Sequence, residues 1–287
     1  MVAQQIMVDA ALRDEGSPLN PEHAELLEAA RALLEPALYE ATDEVLRISM
    51  TREHATAKEP AETIAKFLAK TVQFRQHYGT ATIVSSPIPR GEDLHRIWPT
   101  HIGNKPDAYG HPLVFESLGQ IDIAALQADD IQVADVVWQR VQVLELLARM
   151  KERASREHGH CVYKHNFIAD VSGASLSLLS SKMRAIITTL LSDVTEVAYP
   201  DALHKLWIIN APIAFRWIWA VVSPLMAEST RAKINILGGK EEYLPAMCER
   251  GGLAMDEVPE ALGGTGKIQT SWEILRRQAA APTEHND

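Results

Sequence analysis

Residues 206–226, LWIINAPIAFRWIWAVVSPLM, decide how this chain folds. The run carries a single formal charge, Arg216. By length and hydropathy it could cross a bilayer, whose core asks for about 20 apolar residues. Its internal punctuation argues otherwise. Asn210-Ala211-Pro212 splits the run, because proline restrains the residue before it and brings no N–H to continue a helix. Arg216 near the middle would add about 2.5–3.5 kcal/mol to insertion. Residues 206–210 therefore read as a buried strand and 213–226 as a separate helix.

That helix is apolar over an unusually wide arc. At about 100° per residue, Arg216, Ala220 and Ser223 share one narrow stripe, while Trp217 and Trp219 fall on opposite sides. A surface helix of a globular protein buries one apolar stripe and wets the rest. A helix apolar this far round is buried in a large core, or faces lipid on one side and protein on the other.

Working outward, strands alternate with helices. Strands are predicted at 112–116, 166–170, 206–210 and 234–237, with helices at 131–158, 175–197 and 213–226 between them. That alternation indicates an α/β fold with a mainly parallel sheet. Before it lies a helical region. Pro21 suits a first helical position for a helix running toward Tyr39, and a second helix follows Pro60 until Gly79 ends it. The loop SSPIPRG at 85–91 is the expected boundary, giving a helical N-terminal region over 1–90 and an α/β domain over 91–277. Residues 278–287 are expected to form a disordered tail.

Composition narrows the function. The 287 residues are 46% hydrophobic and carry a formal net charge of −10, which disfavours uniform adsorption to nucleic acid or to an anionic membrane. Any anion bound here needs a local site. Two cysteines make neither a disulfide framework nor a zinc-finger set, and the N-terminus lacks the basic head and apolar core of a secretory signal, so an intracellular protein is expected. Familiar catalytic signatures are missing. Gly263-Gly-Thr-Gly-Lys267 has Ala261 and Ile268 where a phosphate loop needs Gly and Ser or Thr, and no G-x-S-x-G elbow occurs. His158, His160, Cys161 and His165 could suggest zinc, but they follow the end of a charged helix, whose negative pole favours histidine. Asp170 and Ser172 read as a turn and helix cap. Thr230, Arg231 and Lys233 place a hydroxyl and two cations beside the apolar helix, where an anion could be met.

Five stretches in order make the chain resemble the CRAL-TRIO lipid-binding family. YGHPLVFE (109–116) is similar to the family's D-G-R-P-V strand entry, and DVSGAS (170–175) to its D-x-x-G-x-S turn. Tyr199-Pro200-Asp201 through Ile209-Asn-Ala-Pro212 resembles its Y-P-E…N-A-P block, the most specific of the set. KINILG (233–238) and VPEALGG (258–264) resemble its closing signals. The resemblance implies a sheet flooring a hydrophobic pocket for one lipid, covered by a gate helix at 213–226. It carries the phosphoinositol-binding positions onto Lys233, Thr230 and Asp201, with Asp201 in place of the usual Glu, and onto Arg47 in the leading helical region. It assigns Phe215, Trp217, Ile218, Val221, Val222, Phe167 and Val114 to the gate and acyl pocket, and Trp219 and Met226 to membrane contact. His165, Phe167 and Val114 replace the family's phosphatidylcholine-binding residues.

The implied function is exchange of one phospholipid, phosphatidylinositol, between membranes, or its presentation to lipid kinases. The alternatives are a carrier of a sterol, tocopherol or retinoid, and a lipid-sensing adaptor without net transfer. No catalysis, metal, nucleic acid or cofactor beyond the bound lipid is expected, and the implied protein is a cytoplasmic monomer that visits membrane surfaces reversibly.

Overall fold

The central strands form where β-branched and aromatic residues fill short runs, as in Leu203–Ile209 and His165–Asp170. The computed structural model describes residues 21–34, 57–128, 130–226 and 228–280. Arg47 and the part of the first expected helix beyond residue 34 lie outside these. Six strands pair in one sheet: β1 (His101–Gly103), β2 (Leu113–Ser117), β3 (His165–Asp170), β4 (Leu203–Ile209), β5 (Ile234–Ile236) and β6 (Ile268–Thr270). Their order is β5-β4-β3-β2-β1-β6. β2 through β5 are parallel, and β1 pairs antiparallel with both β2 and β6. The mainly parallel α/β fold expected from the sequence is present, with β1 and β6 as an antiparallel margin that the sequence reading did not contain.

Alternation along the strands divides the sheet into two faces. Val114, Phe167, Leu206 and Ile234 lie in register across β2 to β5. On this face Ala169, Leu206 and Ile208 pack with Met183, Ile186, Phe215 and Ile218, and Val114 packs with Val137, Val141 and Val194. Phe167 touches both clusters. On the opposite face Phe115, Ile168 and Trp207 are covered by Tyr243, Met247, Leu253 and Val258 from the C-terminal segment. The sheet is thus buried on both sides, as parallel strands require.

Long helices frame it. The helix Val133–His158 starts with a capping box between Gln132 and Asp135 and ends at Gly159, whose φ of 71° favours glycine. The helix Pro60–Tyr78 has proline in its first turn and stops at Gly79 in the same left-handed conformation. This second helix is fastened to the α/β domain. Arg75 bonds both oxygens of Glu145 at 2.9 and 3.4 Å, Tyr199 Oη donates to Glu145 at 2.6 Å, and Thr71 Oγ1 donates to the Val197 carbonyl at 2.7 Å. The region expected as one helix over 175–197 is built in three parts: a short 3-10 turn at Leu176–Leu179, an α-helix at Ser181–Thr189 and a wider π-helical segment at Leu190–Ala198. Of the tail expected over 278–287, residues 281–287 lie outside the described residues and residues 278–280 do not fit it. Ser271–Ala280 is helical, anchored by buried Leu275, so residues 278–280 belong to its last turn.

Candidate functional site

The 206–226 run divides where the proline predicts. β4 ends at Ile209, Asn210 turns the chain with a φ of +55°, and a helix follows at Phe215–Val222, prolonged by a 3-10 turn at Ser223–Leu225. Among the described residues no helix is long and apolar enough to cross a membrane. Asn210 is held on both sides. Its Nδ2 donates to Asp170 Oδ1 at 3.0 Å, and its backbone N–H donates to the Gly238 carbonyl at 2.9 Å. Asp170 Oδ1 also accepts from the Ser172 N–H at 2.8 Å, so the turn role read for Asp170 extends to clasping the ends of β3 and β4.

The helix after this turn has two apolar sides. Phe215 and Ile218 are buried against the Leu206–Ile208 face, with Trp219 and Val222 half-buried beside them. Ile213, Trp217, Val221 and Leu225 point outward, and Ile213 and Trp217 are 82% and 60% exposed. These four recur every fourth residue, which sets them on one row of the helix. Two sequence assignments therefore exchange places. Trp217 and Val221, assigned to the gate and acyl pocket, face solvent. Trp219, assigned to membrane contact, packs toward the sheet with its neighbours one turn away. Met226 is half-buried, and its carbonyl accepts from Arg231 at 3.1 Å.

Asp201 and Lys233, taken from separate motifs, meet at the mouth of β4 and β5. Asp201 follows Pro200 in a left-handed turn with a φ of +54°. Its Oδ1 accepts from Lys233 Nζ, and its Oδ2 accepts from Tyr163 Oη at 3.2 Å and lies 3.4 Å from Lys164 Nζ. Thr230 sits one turn before Lys233, whose backbone N–H donates to the Thr230 carbonyl at 3.1 Å. Tyr163 and Lys164 were not in the sequence reading. Lys164 is only 1% exposed, and its approach to Asp201 depends on the β3–β4 register, which no local pattern announces. Chemically, two ammonium groups, a phenol and a carboxylate converge at one end of the sheet, an arrangement able to hold a phosphate while a hydroxylated ring is read by Asp201.

Phe167 and Val114 lie in register on the sheet face toward the helix Phe215–Val222. His165 is on the same strand and is buried. Burial pushes its imidazole well below the usual histidine range, and the ammonium groups of Lys151 and Lys233 push the same way. On that face Glu116 is also buried. It accepts from Trp98 Nε1 at 2.9 Å and Thr100 Oγ1 at 2.7 Å and pairs with Arg140, which stacks over Trp98 at 4.1 Å.

In the histidine-rich stretch after the helix Val133–His158, one ring has a backbone partner. His160 Nε2 lies 2.8 Å from the Tyr109 carbonyl, and Tyr109 Oη donates to the Cys161 carbonyl at 2.8 Å. A different trio, Asp107, His111 and His204, brings ligand atoms within 4.8 Å of one another. The carboxylate there is already engaged. Asp107 Oδ1 accepts the N–H groups of Tyr109, Gly110 and His111, and Oδ2 accepts from Asn166 at 2.7 Å and lies 2.8 Å from His111 Nδ1. Burial works to raise this carboxyl, but those bonds hold it at about 2. Asp107 thus shapes the entry to β2.

Known proteins place this geometry. Residues 101–264 match the family model for the CRAL/TRIO domain. The SEC14 cytosolic factor of Candida glabrata is 26% identical over 271 residues, covering 88% of this chain and 82% of that protein. The Sec14 cytosolic factor of Schizosaccharomyces pombe is 26% identical over 208 residues, covering 71% and 70%. A phosphatidylinositol/phosphatidylcholine transfer protein of Arabidopsis thaliana, SFH4, is 27% identical over 202 residues, covering 68% of this chain. The match spans only 31% of the length of that plant relative. The crystal structure of Sfh5 superposes with a TM-score of 0.61 at 15% identity, over 82% of this chain and 85% of that one, which shows a shared fold. With the family model matching more than half of its residues, the chain belongs to the CRAL/TRIO domain family.

Proposed function

We propose that this chain is a carrier that shelters one phospholipid, phosphatidylinositol, between the Val114–Phe167–Leu206 sheet face and the gate helix Phe215–Val222. It exchanges that lipid between membranes or presents it to lipid kinases. The observation that supports this most is the gate helix itself, apolar toward the sheet through Phe215 and Ile218 and apolar toward solvent through Ile213 and Trp217. Such a helix can exchange its packing on the sheet for contact with a membrane, opening a route for acyl chains.

The energetics assign selectivity to the head group. Acyl chains gain about 0.8 kcal/mol per CH₂ on leaving water, but in a bilayer they have already left it, so transfer into an apolar interior is nearly neutral. A phosphate against Lys233 and the Thr230 hydroxyl would form charge-assisted bonds worth about 1.5–3 kcal/mol each. Asp201 orients Lys233 and accepts from inositol hydroxyls. Lys164 and Tyr163 steady Asp201 from the other side. The role proposed is binding and delivery, without catalysis, by a cytoplasmic protein that visits membranes transiently. The names of the Sec14 and SFH4 relatives agree with this reading.

Mass spectrometry of lipids retained by the purified protein after incubation with mixed-lipid vesicles tests it. Phosphatidylinositol is expected in stoichiometric amount. Lys233→Ala should lower its transfer at least about tenfold, the equivalent of one lost charge-assisted bond, with an unchanged circular dichroism spectrum. Undiminished transfer by this variant removes the head-group assignment.

A further inference from the structure

Three side chains, none of them assigned to the lipid, link the leading helix to the mouth of β4 and β5. Glu145, on the helix Val133–His158, is 5% exposed. It accepts from Arg75 of the helix Pro60–Tyr78 through both oxygens, and from Tyr199 Oη at 2.6 Å. Burial and the neighbouring carboxylate hold the Tyr199 phenol well above its usual range, so it keeps its proton and donates. Phe74, beside Arg75 on the same helix, meets the Tyr199 ring edge-on with 6.5 Å between centroids. The leading helix thus holds this ring both at its tip and along its edge.

Two residues further on stands Asp201. Tyr199-Pro200-Asp201-Ala202 is a tight turn, closed by the Ala202 N–H donating to the Tyr199 carbonyl at 3.4 Å. Asp201 takes a φ of +54°, which a residue with a side chain keeps only where its surroundings over-determine it. On the far side of the turn the Ala202 carbonyl accepts from the His165 N–H at 2.9 Å. On the near side the anchor is the Tyr199 ring. Between that ring and Asp201, Pro200 contributes no rotation about φ, so the position of Tyr199 governs the direction of the carboxylate. Lys233 and Tyr163 grip the carboxylate itself; Tyr199 sets the backbone from which it leaves.

We propose that Arg75, Glu145 and Tyr199 are positioning residues for head-group recognition: the leading helix, without touching the lipid, aims Asp201 at the inositol hydroxyls. This rests on the carrier reading, and it assigns selectivity among anionic phospholipids to a contact between the leading helix and the α/β domain. Lys233 and Thr230 meet a phosphate that every phosphodiester lipid offers, whereas Asp201 reads the hydroxylated ring. Loosening the anchor therefore weakens discrimination between head groups more than it weakens loading.

The test uses the purified chain and phosphatidylcholine vesicles doped equally with phosphatidylinositol and phosphatidylethanol, whose phosphodiester carries the same charge but no head-group hydroxyl. Retained lipids are counted by mass spectrometry, and the wild type should favour phosphatidylinositol. Tyr199→Phe removes one oxygen and leaves the ring and the Arg75–Glu145 pair in place. It should lower the preference at least about fivefold, while phosphatidylethanol is retained within about twofold of wild type. Arg75→Gln should act likewise, and Arg75→Lys, which keeps a cation on Glu145, should restore most of the preference. If Arg75→Gln does not fold, Tyr199→Phe decides. The inference is overturned if Tyr199→Phe leaves the preference unchanged, or if it lowers both lipids together, as a merely supporting role requires. A wild type that loads both lipids equally removes the reading of inositol by Asp201, and one that loads neither brings down the carrier reading; each result is visible before any variant is made.

Discussion

Glu257 shows how much a single side chain on the back of the sheet can report. It is 5% exposed, its Oε2 accepts from the Ala254 N–H at 2.8 Å, and burial raises its carboxyl to about 7. The fold therefore prefers Glu257 protonated. Its contribution is fully present below the unfolded value of about 4.5 and is lost as pH rises through 7. Glu257→Gln keeps the acceptor and removes the titration. The variant should exceed wild type by about 1–2 kcal/mol at pH 8 in urea unfolding, with most of the gain gone at pH 5. A gain of equal size at both pH values would place its cause elsewhere. At this same scale the sequence was informative where a motif carries the residue. Asp201 and Lys233 were found in separate motifs and do meet. Tyr163 and Lys164 were not found, because they reach Asp201 across about 38 residues of chain, through strand pairing that neither neighbour sequence encodes.

The element that matters most is the gate helix, and its two tryptophans are separated by geometry alone. Trp217 lies on the outward row with Ile213 and Val221, whereas Trp219 packs toward the sheet with Phe215, Ile218 and Val222. Removing an apolar side chain of this size from a membrane contact forfeits about 1.5–3 kcal/mol. Trp217→Ser should therefore weaken sedimentation with liposomes at least about tenfold and leave thermal stability nearly unchanged. Trp219→Ser should do the reverse, lowering the unfolding midpoint with little effect on sedimentation. Equal loss of sedimentation by both variants would refute the outward row as the contact. The sequence disclosed that this helix is apolar all round; it could not tell which side is in, because no polar stripe breaks the symmetry except Arg216, Ala220 and Ser223. Short strands were illegible for a related reason. His101-Ile-Gly103 and Ile268-Gln-Thr270 are three residues each, too brief for an alternation to register; the first is held between β2 and β6, and the second pairs with it from the far end of the domain. β3 and β4 were legible because their buried halves leave short apolar runs, Phe167–Ala169 and Leu206–Ile209.

For the whole molecule, the net charge of −10 sets an electrostatic condition on the membranes that the gate can approach. Repulsion acts over about 8–10 Å at ordinary ionic strength, a distance the outward row must close before its side chains touch lipid. Vesicle association is expected to fall as phosphatidylserine replaces phosphatidylcholine, and to recover when salt is raised. Tighter binding to the anionic vesicles would overturn this charge argument. The helix Pro60–Tyr78 belongs to this scale as well. Its Arg75 and Thr71 tie it to Glu145 and to the end of the π-helical segment, so the helical region and the α/β domain share one packed surface on either side of the loop that the sequence marked as a boundary.

Arg231 donates to the carbonyls of Ser223 and Met226, at the far end of the gate, from the same single-turn helix that carries Thr230. In the carrier proposed above, a head group held at Thr230 and a helix end held by Arg231 would bear on one four-residue turn. Dwell time is then expected to be graded by head group, with poorly held cargo escaping first.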